Sequence, residues 1–260
     1  MHNDFDVAAT QYDHVFTFSK IGIAQRHLVF KYLAPTINTS KKLAILELNC
    51  GTGEDAIQLA NLGHHVIATD ISENMLRVAK NKTYPKNLTF KVQDINLITE
   101  HTFNNTFDLI FSNFGGLNCL SKSQLDLFFK QSVNLLKPNG KLILVMMPKN
   151  CLWELIYFSL KGNFKKAKRR NTSKSVVANL GDSQVSTWYY NPGQIVSLSK
   201  KLYIEELIKP IGLFIPPSYL ETSLLTKKPM FNILIKFEQL FNASLLSKYA
   251  DHFLIQLTKR

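Results

Sequence analysis

Five positions among the first hundred residues could together hold a nucleotide: Glu47, Gly51, Gly53, Asp70 and Asp94. In Ile45-Leu46-Glu47-Leu48-Asn49-Cys50-Gly51-Thr52-Gly53-Glu54-Asp55 an apolar run enters a turn with two glycines, and Asp70 lies 23 residues beyond Glu47. Glycine has no Cβ, so the turn brings backbone close to a ligand and opens a helix whose free N–H groups attract an anionic group. Asp70 falls where a second strand would end, and a carboxylate there can accept both hydroxyls of a ribose.

Gly51-Thr52-Gly53-Glu54-Asp55-Ala56 also fits G-x-G-x-x-A, the spelling of a dinucleotide turn. Four further features separate the readings. Glu47 stands just before the turn, where a carboxylate serves the ammonium of an amino-acid cofactor. Met75 puts a polarizable side chain one helical turn past Asp70. Gln93-Asp94-Ile95 follows the third apolar run, where a carboxylate can accept from an adenine amino group. Phe107-Asp108-Leu109-Ile110-Phe111-Ser112-Asn113-Phe114 is an apolar strand that ends in polar and small residues.

Taken in series with Leu135-Leu136-Lys137-Pro138-Asn139-Gly140, this set resembles the class I S-adenosylmethionine-dependent methyltransferases of the small-molecule type, over roughly residues 5–147. The resemblance implies an α/β, Rossmann-like, seven-stranded and mostly parallel sheet with an antiparallel last strand and helices on both faces. It implies S-adenosylmethionine as cofactor, with Glu47, Gly51 and Gly53 around its methionine end and Asp70 on its ribose. Ile71 and Met75 would flank the adenine, and Asp94 with Ile95 would face its edge. Asn113 and Phe114 would lie beside the sulfonium, and Tyr12 of Gln11-Tyr12-Asp13 would close over the cofactor. Asn49 stands where the family commonly has glycine; asparagine is the next most tolerant residue for left-handed backbone.

Methyl transfer from a sulfonium needs the acceptor atom held in line, and a base only where that atom arrives protonated. His14 and Tyr189, within Trp188-Tyr189-Tyr190, are the candidate bases, each with a packing role as its competitor. Asn113-Phe114-Gly115-Gly116 replaces the Asn/Asp-Pro-Pro-aromatic motif, which argues against exocyclic-amine and glutamine acceptors. The acceptor expected is a small organic molecule methylated at oxygen, aromatic, carboxylated or lipid-like. No metal ligand set is expected.

These residues need elements to position them. The alternation of short apolar runs with amphipathic stretches places strands near 43–48, 65–69, 88–92, 107–112 and 140–147 and helices near 53–62, 72–82 and 121–137. Beyond Pro148 the spacing predicts a strand over Val185–Tyr190, a helix from Gly193 and a last strand over Phe253–Leu257. The expected organisation is an N-terminal helical lid over 1–42, the cofactor-binding core over 43–148, a basic insertion or lid over 149–184, and completion of the sheet with acceptor-side elements over 185–260.

The 260 residues carry a formal charge of +12 and 45% hydrophobic residues. Lys161, Lys165, Lys166, Lys168, Arg169, Arg170 and Lys174 lie in one acid-free segment, and without these seven the charge falls to +5. Such a run reads first as a solvated surface loop; an acidic carrier protein or an anionic membrane surface are the partners it would suit, ahead of nucleic acid. Three unpaired-looking cysteines, no signal-peptide pattern and no membrane-length apolar run fit a cytoplasmic protein. The competing classes are an NAD(P)-dependent oxidoreductase, an RNA methyltransferase and a cofactor fold reduced to a binding module.

Overall fold

The computed structural model describes Asp6, residues 9–180 and residues 183–260. The main strands are β1 (Ala44–Leu48), β2 (His65–Asp70), β3 (Leu88–Val92), β4 (Phe107–Ser112) and β5 (Leu136–Met146), followed by the hairpin β6 (Val176–Leu180) and β7 (Ser183–Thr187), then β8 (Tyr203–Ile211) and β9 (His252–Lys259). The helices are α1 (Ala9–Tyr12), α2 (Lys20–Ile37), α3 (Glu54–Asn61), α4 (Glu73–Lys80), α5 (Lys122–Leu135), α6 (Leu152–Leu160), α7 (Phe164–Ala167), α8 (Pro192–Ser199) and α9 (Met230–Leu240).

Seven strands form one sheet in the order β3-β2-β1-β4-β5-β9-β8. β1 to β5 pair in parallel, and β9 runs antiparallel to both β5 and β8. This is the expected Rossmann-like α/β sheet, with Phe253–Leu257 inside its antiparallel strand. Successive strand residues point to opposite faces, and both faces are covered. Ile45, Ile143 and Val145 pack with Leu28 and Leu33 of α2 and Leu59 of α3. Their neighbours Leu46, Leu142 and Leu144 pack with Phe128 and Phe129 of α5 and Ile195 of α8.

Four details depart from the sequence expectations. β5 pairs with β4 from Leu136, before the expected start at 140, with a register shift that leaves Lys137–Gly140 bulged out and Asn139 at φ 60°. Val185 lies in a separate two-stranded hairpin, and the chain leaves that hairpin before Trp188. β8 was not expected from the sequence; Pro210 pairs opposite Phe253 and is tolerated because β8 is an edge strand. The basic segment is not wholly a solvated loop, since Arg170 is buried and Arg169 half-buried.

Candidate cofactor and acceptor site

A parallel sheet delivers its strand ends to one edge, and an antiparallel strand begins where its parallel neighbours finish. That edge therefore gathers Asn49 after β1, Asp70 at the end of β2, Asp94 after β3, Asn113 and Phe114 after β4, and His252 at the start of β9.

The turn after β1 uses left-handed backbone at Asn49 (φ 55°), Gly51 (φ 53°) and Gly53 (φ 78°). Gly53 also has a packing reason: a Cβ there would come within 2.8 Å of the Phe90 ring. Asn49 fits because Gly116 yields room, its own hypothetical Cβ lying only 2.6 Å from Asn49 Cβ. The Asp70 carboxylate accepts from Gly51 N at 2.8 Å and Ser72 N at 2.9 Å. Burial raises its pKa, against the pull of these donors. Gln93 N donates to Asp70 O at 2.9 Å, bringing Asp94 beside β2. Asp94 caps the turn over Ile95–Leu97 by accepting from Asn96 N at 2.8 Å.

Glu47 is 1% exposed, and its Oε2 has no hydrogen-bond partner among the described residues. Burial, followed by the Asp55 charge, pushes this carboxyl well above its ordinary range, while Arg26 opposes the rise. Asn49 Oδ1 is likewise buried without a partner. Ile71 is exposed and Met75 is buried against the core, so the two flanking positions differ in access.

On the other side of the turn, Asp55 accepts from Arg26 Nε at 2.7 Å and from Asn113 Nδ2 at 2.9 Å. Asn113 Oδ1 in turn accepts from Phe114 N at 2.9 Å, which holds Phe114 at φ 45°. The Arg26 guanidinium lies 5.3 Å from the Phe114 ring centre. A chain of rings covers this end: Tyr12 and Phe16 are 5.6 Å apart, and Phe16 meets Phe114 edge-on at 5.0 Å. The Tyr12 ring comes within 3.9 Å of where a Gly51 Cβ would sit. Desolvation pushes the Tyr12 hydroxyl up to about 12, so it stays protonated at neutral pH. The segment is fastened by Asp13, which pairs with Lys82 at 2.7 Å and accepts from Thr52 Oγ1.

The two candidate bases lie apart. His14 is exposed in a groove with Asp13, Lys20 and Glu221 that neither Asp70 nor Phe114 lines. Tyr189 is buried with the Arg170 guanidinium 5.2 Å from its ring, and burial raises its hydroxyl. Sequence reasoning missed Arg26, Asp55, Asp251 and His252. His252 meets Phe114 edge-on at 5.9 Å, and its Nδ1 lies 3.3 Å from Asp251 Oδ2, at an angle that makes no hydrogen bond. Asp251 also accepts from Arg170 Nη2 at 2.7 Å, and Arg170 bonds Glu154 Oε1 at 2.7 Å. The antiparallel strand placed at Phe253 was the one signal that could have put its preceding residue at this edge.

The donor set fits a ribonucleoside that bears an ammonium. A buried carboxyl oxygen without a partner, a second carboxylate at the next strand end and a glycine turn between them are complementary to those groups.

Residues 45–140 match the family described as "Methyltransferase domain". The chain is 34% identical over 134 residues to a malonyl-[acyl-carrier protein] O-methyltransferase of Bacillus anthracis, covering 50% of this chain and 48% of that protein. It is 26% identical over 200 residues to the protein of that name from Bacillus cereus, covering 75% and 66% respectively. The chain thus spans about half to two thirds of the length of these relatives. Among solved structures it resembles a putative S-adenosylmethionine-dependent methyltransferase from Listeria monocytogenes, with TM-score 0.63, 17% identity and 92% and 97% of the chains covered. A DhpI-SAM-HEP complex gives TM-score 0.62, 15% identity and 98% and 94% coverage. Residues 45–140 thus match a methyltransferase domain, and the sheet that carries them has the fold of S-adenosylmethionine-dependent methyltransferases.

Proposed function

We propose that the chain uses S-adenosylmethionine to methylate an oxygen of a small organic acceptor, aromatic, carboxylated or lipid-like, either free or attached to an acidic carrier protein. The observation that carries the cofactor half is Glu47, whose buried and unpartnered Oε2 faces an energetic cost that a bound ammonium would relieve. Asp70 would take the ribose hydroxyls while keeping its two backbone donors. Ile71 and Met75 would flank the adenine, with Asp94 and Ile95 at its edge. Asn113 and Phe114 would stand beside the reacting centre.

When bound, this cofactor supplies an electrophilic methyl group. The chain's share is orientation and exclusion of water. Tyr12, Phe16 and Phe114 close the aromatic side, and Arg26 with Asp55 and Asn113 fixes the Phe114 backbone. For a hydroxyl acceptor, His252 is the proton acceptor this arrangement favours over His14 and Tyr189. Its ring meets Phe114 edge-on at 5.9 Å, and Asp251 Oδ2 lies 3.3 Å behind its Nδ1. A carboxylate acceptor needs no base. The O-methyltransferase names of the Bacillus relatives support an oxygen acceptor, and the malonyl carrier in those names supports a carboxylated, carrier-bound one.

Titration calorimetry with S-adenosylhomocysteine and with NAD tests the reading. Binding of the first alone is expected, and Asp70→Ala should weaken it by about tenfold or more, as expected for a lost charge-assisted hydrogen bond. Heat with NAD and none with S-adenosylhomocysteine would sink the proposal.

A further inference from the structure

α6 is built inside out. Its one acid, Glu154, is buried, while Leu152, Leu155, Ile156 and Leu160 are exposed, Leu160 at 83%. Their spacing of three and four residues puts these four side chains on one stripe. An exposed apolar stripe of this kind marks a surface that meets something apolar. α9 repeats the inversion: Glu238 is buried, where it accepts from four successive backbone N–H groups of Gly212 to Ile215. Met230, Ile233, Phe237 and Leu240 of α9 are exposed, again at helical spacing. Tyr219, in the chain that leads to α9, packs on Tyr157 and Phe158 of α6.

Charge identifies the occupant. Between Glu154 and Asp182 the sequence has no acid, and Lys161, Lys165, Lys166 and Lys168 are all exposed where α6 passes into α7. Phe164 is 65% exposed among them. The segment is held rigidly, because Arg169 and Arg170 both bond Glu154 and Arg170 also bonds Asp251, next to His252. A second copy of this chain would set these lysines against their own kind, which disfavours self-association through this face. Apolar side chains ringed by lysines suit an interface of hydrocarbon beneath anionic headgroups.

We propose that the exposed face of α6 and α7, with α9, rests on an anionic membrane surface and delivers a membrane-dissolved acceptor to the His252 side of the site. The delivery half rests on the methyltransferase reading; the docking half does not.

Sedimentation with phosphatidylglycerol vesicles and with phosphatidylcholine vesicles tests it, using the full chain. Binding to the anionic vesicles is expected, falling with added salt, and little binding to the zwitterionic ones. Two variants separate the contributions: Leu155→Ser with Leu160→Ser, and Lys161→Gln with Lys165→Gln, Lys166→Gln and Lys168→Gln. Each should lower anionic-vesicle partitioning by at least about tenfold, given roughly fivefold per lysine near such a surface. Thermal melting and S-adenosylhomocysteine binding should stay as in the parent, because all six side chains lie outside the cofactor site. Equal partitioning of parent and variants would overturn the docking proposal, as would failure to bind anionic vesicles. So would lysine-dependent binding of an acidic carrier protein without vesicle binding. Loss of S-adenosylhomocysteine binding by the parent chain would instead count against the methyltransferase reading and leave the vesicle result to stand by itself.

Discussion

Glu47 costs the fold stability that a ligand would return. Its pKa in the folded chain is raised by burial and by Asp55. A raised carboxyl favours the folded state while protonated, so that contribution is present below the ordinary carboxylate range and is lost as pH rises through the raised value. Glu47→Gln removes the titration. Without ligand, the variant should therefore melt above the parent at about pH 8, with the gap closing toward about pH 4. Saturating S-adenosylhomocysteine should reverse the order, since the parent alone gains the ammonium contact. Parallel melting curves at every pH would show that Glu47 carries no such cost. Asn49 and Gly116 form a second pair at this scale. Gly116→Ala places a methyl against Asn49 Cβ and should cost about 1–3 kcal/mol in urea unfolding. Adding Asn49→Gly should recover most of that loss, because it removes the contact and the left-handed strain together. Additive losses would refute the pairing.

At the scale of elements, one cluster ties α6 and the basic segment to β9. Burial opposes the ionised forms of Glu154 and Asp251, yet Arg169 and Arg170 hold Glu154 below its ordinary pKa, and His252 with Arg170 does the same for Asp251. Lowered carboxyls add stability above the ordinary range and lose it as pH falls through the lowered values, so this cluster should unravel on the acid side. Glu154→Ala leaves Arg170 buried with one partner fewer and should cost about 3–5 kcal/mol, read by denaturant unfolding near neutral pH. A loss under about 1 kcal/mol would mean that water replaces the carboxylate. These contacts were not legible in the sequence, where Arg169 and Arg170 read as members of a surface run. Their partners lie 15 and 81 residues away, and no local pattern encodes that pairing. The strands before Pro148 were legible within about two residues at most ends, because burial on both faces of the inner strands imposes continuous apolar runs. β8 was hidden by its edge position, which admits Pro210 and charged residues. Asp108 illustrates a legible motif with another role: at the opposite end of β4 it accepts from Ala44 N, Lys41 and Lys137, which bring its carboxyl down to about 2.

Over the whole molecule, the last strand of the sequence is an inner strand of the sheet, flanked by β5 and β8. The sheet cannot close until those residues arrive, and its pairings are long-range. Exchange protection should follow position in the sheet rather than order in the chain. Hydrogen exchange read by mass spectrometry should find residues 252–259 among the slowest, with 44–48 and 107–112, while the edges at 88–92 and 203–211 exchange sooner. The same measurement separates the two surfaces inferred for this chain. S-adenosylhomocysteine should slow exchange over 9–19 and 49–53, where the aromatic segment and the glycine turn meet. Anionic vesicles should slow it over 152–167 and 230–240. The two footprints share no residue, but Arg170 and Asp251 join the lysine-bearing segment to His252. Protection of 251–253 by either ligand is therefore the expected sign of coupling, and it should disappear in Arg170→Met while the outer vesicle footprint persists. Vesicle protection confined to 152–167 in the parent would mean that the surface and the site work independently.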